Sequence, residues 1–147
     1  MITASLSSTI SEVSRTMKEY DIGFIPIEKD DNIVGVITDR DIVVRATAKA
    51  IDVSEPVEKY ITADIISVDS DADLEEALKL MGEAQIKRLL VEEKRKIVGV
   101  LSLSDILSIK RDLETIEYIS QIFSPFDKPN VVNEVNLIEA EIEEFEL

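Results

Sequence analysis

Apolar positions along this chain follow two spacings. In some stretches they recur every three or four residues, and in others they run nearly unbroken over five or six. The first spacing predicts helices and the second predicts buried strands. Ser8–Tyr20 places Ile10, Val13, Met17 and Tyr20 on one face. Ser8 or Thr9 serves as its cap, and Glu12 stands three residues after Thr9, as a capping box requires. Asp21–Gly23 ends that helix. Phe24–Ile27 predicts a strand whose Pro26 points to a sheet edge or a bulge. Glu28–Asn32 is a polar hairpin loop, and Ile33–Thr38 is a strand rich in β-branched residues. Asp39–Lys49 predicts a second helix, buried through Ile42, Val43 and Ala46. Met1–Ala4 reads as the end of an edge strand.

The same order then returns. Ile33, Val34, Gly35, Val36, Asp41 and Ile42 recur as Ile97, Val98, Gly99, Val100, Asp105 and Ile106, and Thr38 recurs as Ser102. Upstream, without a gap, Met17 falls on Met81, Glu19 on Glu83, Ile22 on Ile86 and Ile27 on Val91. The second copy predicts a strand at Ile65–Val68 and a helix at Asp73–Ala84, buried through Leu74, Ala77, Leu78 and Met81. Strands at Arg88–Glu92 and Ile97–Ser102 follow, joined by the charged loop Glu93–Lys96. A helix starting at Leu103 keeps its period as far as Phe123.

Each copy is therefore strand, helix, strand, strand, helix. A three-stranded sheet is too small to stand alone. The expectation is an α/β (α+β) fold in which two repeats pack as a pseudo-twofold pair with helices over their sheets. The first repeat spans 1–50, a linker broken by Pro56 spans 51–61, and the second repeat spans 62–111. Residues 112–147 form an acidic helical extension, with Lys128 as its one basic residue. Within it, Asn133–Leu147 sets Ile138, Ile142 and Phe145 opposite Glu139, Glu143 and Glu146. That pattern suits a solvated helix or one docked on a partner.

Composition narrows the chemistry. The 147 residues include no Cys and no His. That removes disulfides, thiolate nucleophiles, Ser-His and Cys-His dyads and the usual zinc ligands. No glycine-rich phosphate loop is present. Asp and Glu are plentiful, but no pair is singled out for acid–base catalysis. The formal charge of −15 disfavours binding to nucleic acid and to anionic membranes. No apolar run is long enough to span a bilayer, and no signal peptide is visible, which fits a cytoplasmic protein. Abundant Ile and scarce Gln lean toward a thermophile.

The strand-to-helix junctions carry the candidate chemistry. Thr38 with Asp41, and Ser102 with Asp105, are ordinary helix-capping pairs on pattern alone. A carboxylate is also an acceptor suited to two adjacent hydroxyls, such as the 2′ and 3′ oxygens of a ribose. Free N–H groups at a helix start favour an anion such as a phosphate. Arg40, Arg45 and Lys49 in the first copy, and Lys87, Arg88 and Lys110 in the second, could add positive charge.

The duplicated stretches, Gly23–Ile27 with Ile33–Ile42 and Arg88–Val91 with Ile97–Ile106, resemble the CBS domain pair, or Bateman module. The resemblance covers about residues 1–110. It implies a non-catalytic regulatory module that needs no cofactor. It further implies that an adenosine-containing ligand (AMP, ADP, ATP or S-adenosylmethionine) binds in a cleft between the repeats. By that resemblance Thr38 and Asp41, and Ser102 and Asp105, hold the ribose. Arg40, Lys87 and Arg88 lie near the phosphates. The base slot falls to Thr62, Asp64 and Ile65 for the second copy, and to Gly23, Phe24 and Pro26 or Arg88 and Leu89. A homodimer and a separate target protein are also implied. The family usually carries a segment ahead of its first strand, as Val57–Thr62 stands ahead of the second copy. Met1 begins too late to supply one, so the expectation is a trimmed chain or an incomplete first base slot. The competing expectation is a scaffold with empty clefts that acts through its acidic C-terminal helix.

Overall fold

The computed structural model describes residues 1–123. The expected helix at Asn133–Leu147 lies outside them. The first repeat runs β1 (Ala4–Ser5), α1 (Ile10–Tyr20), β2 (Phe24–Lys29), β3 (Asn32–Thr38) and a helical turn α2 (Asp39–Asp41). The second runs β4 (Ser67–Asp69), α3 (Leu74–Ala84), β5 (Arg88–Glu93), β6 (Lys96–Ser102) and α4 (Leu103–Ile109), followed by α5 (Leu113–Ile122). Each repeat builds one three-stranded sheet, in the order β1-β2-β3 or β4-β5-β6. The first pair of strands is parallel and the second antiparallel. A crossover helix is needed for the parallel pair, and α1 and α3 supply it.

The duplication reaches into fine geometry. Both hairpins shift register at matched points, Ile27/Glu28 and Val91/Glu92. Both turn through two residues with positive φ, Asp30 and Asp31 in one and Lys94 and Arg95 in the other. That backbone is the tight turn whose twist matches the flanking strands. Both crossover helices end on a left-handed residue, Asp21 or Gln85. Thr9 and Glu12 form the expected capping box on α1.

Two apolar cores result. Ile10, Val13 and Met17 of α1 pack with Ile25, Ile27, Ile37, Ile42, Val57 and Tyr60. Ala77, Leu78 and Met81 of α3 pack with Val68, Leu89 and Ile106. The three- and four-residue spacing assigned these helix positions to the inner face, but it also placed Tyr20 and Val43 there, and they are 53% and 57% exposed.

Four sequence expectations need correction. Of the edge or bulge expected at Pro26, the edge does not hold, since Pro26 lies in the central strand, one residue before the register shift at Ile27/Glu28. Its missing N–H is tolerated because β1 pairs with β2 only from Ile27 onward, and because its partner Val36 turns its own N–H and C=O away toward Thr62. Residues 39–49 are helical but not one α-helix. A π turn at Ile42–Ala46 and a 3₁₀ turn at Thr47–Lys49 follow α2. The helix expected from Leu103 to Phe123 breaks at Lys110, which is extended, and Asp112 recaps α5 by accepting from the Thr115 N–H at 2.8 Å. The edge strands are short, so Met1–Ile2 and Ile65–Ile66 stay outside β1 and β4.

The two strand glycines differ. A Cβ on Gly35 would stand 2.8 Å from the Thr62 carbonyl oxygen and from Ile61 Cδ1. A Cβ on Gly99 would meet only Val91 Cβ, at 3.9 Å. Gly35→Ala is therefore expected to destabilise by about 1–3 kcal/mol through overpacking against backbone. Gly99→Ala should be neutral or stabilise by about 0.4–1 kcal/mol, because it restricts the unfolded chain. Urea midpoints of the two variants check this, and equal losses would contradict it.

Capping also sets the acid response. Backbone and hydroxyl donation from Thr9 lowers the pKa of Glu12, and Ser54 does the same for Asp52. Ser102 lowers Asp105, and Thr115 lowers Asp112. A carboxylate whose folded pKa lies below its unfolded value stabilises at higher pH and loses that effect as pH falls through the folded value. The denaturation midpoint should be flat from pH 8 to about 5 and fall below about pH 4. A midpoint that holds unchanged to pH 2 would contradict this assignment.

Candidate functional site

Each antiparallel hairpin ends on a hydroxyl that starts a helix. Ser102 is extended, and its Oγ accepts the Asp105 N–H at 3.1 Å. In return its own N–H donates to Asp105 Oδ2 at 2.8 Å, and its hydroxyl donates to the same oxygen. Thr38 and Asp41 repeat the arrangement, at 3.0, 2.9 and 2.8 Å. In both copies the strand end and the first helical turn fix one carboxylate oxygen. Asp105 is exposed, and among the described residues its Oδ1 has no hydrogen-bond partner. The Ser102 hydroxyl and N–H hold its carboxyl below the usual carboxylate range, and the charge of Arg88 adds to this. Asp105 is thus an acceptor at neutral pH.

Asp105 opens onto a cleft of about 570 Å³ between the repeats. Arg88, Val98, Gly99, Val100, Ser102 and Ser104 line it from the second repeat. Met1, Ile2, Asp21, Ile22, Phe24 and Pro26 line it from the first. Its volume is that of an ordinary small-molecule site. The apolar residues Ile2, Phe24, Pro26 and Val98 offer walls for a flat ring. Asp105 offers acceptors for a diol, and Arg88 is the one cationic side chain among the lining residues.

Pro26 sits beside the first repeat's leading residues in this lining. In the second repeat the Leu90 N–H donates to the Ile66 carbonyl at 3.2 Å. Pro26 stands at the matching position and has no N–H to give. β1 accordingly starts at Ala4, one residue later than β4 on the repeat offset, and Met1 and Ile2, outside the strand as Ile65 and Ile66 are, line the cleft.

Of the residues picked from sequence, the structure brings Ser102, Asp105, Arg88, Phe24 and Pro26 together. Lys87 lines a smaller cavity of about 250 Å³ beside it, with Arg88, Ser102 and Ser104. Leu89 is fully buried in the second core. The Gly23 carbonyl accepts the Asp39 N–H at 3.1 Å, away from the cleft lining. Arg40 is exposed.

Thr38 and Asp41 lie apart from this cleft. Asp41 Oδ1 pairs with Arg45 Nε at 3.4 Å, and Arg45 reaches Thr62 Oγ1 at 3.2 Å. Thr62, expected beside the second copy's ribose site, pairs instead with Val36 of β3. Asp64 is exposed and Ile65 half-buried, and neither lines the cleft. The approach to the second repeat crosses onto the first repeat's open strand edge, which a linear reading of each copy does not show.

Sequence reasoning missed Met1, Ile2, Asp21, Ile22, Val98–Val100 and Ser104. The usable signals were differences between the copies. Pro26 faces Leu90, and Arg45 faces Ile109, across the repeat.

Comparison with known proteins agrees with this architecture. The model of the CBS domain matches residues 1–46 and 57–112. The CBS domain-containing protein YhcV of Bacillus subtilis is 35% identical over 104 residues, covering 71% of this chain and 74% of that protein. The crystal structure of an uncharacterized conserved protein from Pyrococcus horikoshii superposes with a TM-score of 0.70 at 36% identity, over 76% of this chain and 86% of the other. The CBS domain pair of protein MJ0100, solved in complex with 5′-methylthioadenosine and S-adenosyl-L-methionine, superposes with a TM-score of 0.66 at 25% identity, over 74% and 86% of the two chains. With two matched repeats and this shared fold, the chain belongs to the CBS domain family.

Proposed function

We propose that this chain is a non-catalytic regulatory module. It binds an adenosine-containing ligand in the cleft between its repeats and passes occupancy to a subunit or target protein. The observation that carries the reading is the shared cleft itself. Ser102, Asp105 and Arg88 of one repeat face Phe24 and Pro26 of the other. The free oxygen of Asp105 suits a ribose diol, and the apolar walls suit the base. A ligand held by both repeats favours one relative placement of them, which is what lets it shift an equilibrium. Couplings of this kind are typically ~1–3 kcal/mol. The adenosyl ligands of the MJ0100 pair support the ligand class.

Charge narrows the class. Arg88 shares the lining with Asp21 and Asp105, and the whole chain carries −15. A triphosphate meets like charge there, so AMP or S-adenosylmethionine fits better than ATP. The described residues include no helix long and apolar enough to cross a membrane.

The outward surface supports pairing with a second copy. Val43 and Val44, in the π turn after β3, are 57% and 51% exposed. Light scattering should report a dimer, and Val44→Glu should give a folded monomer. A monomeric parent chain would contradict this pairing.

Titration calorimetry with AMP, ADP, ATP and S-adenosylmethionine tests the ligand. Binding is expected for at least one, and ligand at a hundredfold excess over Kd should raise Tm by about 5–10 °C. Asp105→Asn should weaken it about 10- to 100-fold, the effect of losing a charged acceptor. Absence of heat and of stabilisation with all four would overturn the reading.

A further inference from the structure

Helix α5 is anchored on one face and bare on the other. Its inner face packs Tyr118, Ile119 and Ile122 against the second core. Gly82 of α3 makes room for this, since a Cβ there would stand 2.9 Å from Ile122 Cβ. Gln85 Nε2 donates to the Ile122 carbonyl at 2.8 Å and pins the end of the helix. Asp112 caps its start. The outer face of this fixed helix carries Leu113 and Ile116, 77% and 45% exposed, and Ile109 at the end of α4 is 72% exposed. No other large apolar side chain among the described residues is as exposed as Leu113 and Ile109. One exposed leucine needs no explanation, but three such side chains between positions 109 and 116 do.

The chain that follows α5 has the complementary pattern. Ile138, Ile142 and Phe145 recur at four- and three-residue steps, with Glu139, Glu143 and Glu146 between and beside them. An apolar face of that kind is stable only against another apolar surface. Residues 124–133, which include Pro125 and Pro129, link it to α5. A reversal between helices takes as few as about 2–5 residues. Such a reversal also sets the pairing. Ile116 with Ile138, Leu113 with Ile142 and Ile109 with Phe145 all centre on Asp127, inside the link.

Charge agrees with the same direction. Lys110 and Arg111 are exposed and make no ion pair among the described residues. A reversed segment brings its most acidic end, Glu143, Glu144 and Glu146, to these two cations. A segment laid the other way would set those acids toward Glu117.

We propose that this strip is the seat of residues 135–146 of the same chain, folded back on α5 with Ile138, Ile142 and Phe145 over Ile116, Leu113 and Ile109. The apolar contact carries the docking, and Lys110 and Arg111 fix its direction. The acidic segment is then a built-in cover of the second repeat, and a partner for either surface must first part the two. This does not rest on the ligand reading.

The chain has no cysteine, so a designed pair reports the contact without background. In the full chain, Leu113→Cys/Ile142→Cys should close an intrachain disulfide under mild oxidation about tenfold faster than Val44→Cys/Ile142→Cys, because two seated sites see each other at high effective concentration. Hydrogen exchange on the parent should show the amides of 137–145 slowed about tenfold or more against a free peptide of the same sequence. Leu113→Glu/Ile116→Glu should remove that protection while peptides from residues 1–100 keep theirs. Equal closure rates would overturn the proposal. So would disulfides formed only between chains, as seating on a second copy gives, or unprotected amides over 137–145 in the parent. Protection there that survives the double substitution would overturn it as well. If the double substitution prevents folding, the cysteine pair decides alone.

Discussion

Val36 directs its outward N–H and C=O to Thr62, and that pairing ties the approach to the second repeat onto the sheet of the first. A strand edge must find partners for such groups or leave them to solvent. In the first repeat the chain itself supplies the partner on its way to the second. The consequence is a sheet extended by one short segment and a glycine roofed by Ile61 and Thr62. The strands, turns and caps of the two repeats otherwise match almost position for position.

The cleft at Asp105 has the lining of a small-molecule site because of where two short-range effects meet. The reciprocal cap at Ser102 fixes one oxygen of Asp105 and leaves the other available. Pro26 withholds the hydrogen bond that Leu90 donates to Ile66 in the second repeat, and it lines the cleft together with Met1 and Ile2. Neither effect is large. Each is worth about the energy of a single hydrogen bond or cap, ~1 kcal/mol. Together they place an acceptor, a cation and apolar walls from two repeats around one space.

Much of this was legible in the sequence. The repeat offset, the alternation of strand and helix, the inner faces of α1 and α3 and the Thr9–Glu12 capping box all follow from local spacing. Ser102 and Asp105 stood out as a capping pair, Arg88 as a nearby cation, and Phe24 and Pro26 through the resemblance to the CBS pair. What was not legible depends on which segment crosses to which neighbour. Thr62 was assigned to the second copy because it precedes it, yet its backbone belongs to the first sheet. Arg45 read as a phosphate partner, although Asp41 four residues earlier was already a candidate for an ion pair on one helix face. The break at Lys110 was hidden because Leu113, Ile116 and Ile119 keep the helical period across it. A periodic pattern does not reveal a change of axis.

The most direct measurement is a crystal structure of the chain grown with AMP or S-adenosylmethionine. The account predicts the ribose hydroxyls on Asp105, the base against Phe24 and Pro26, and Asp41 still paired with Arg45. A ligand whose ribose sits on Asp41, with residues 60–62 displaced from β3, would contradict it.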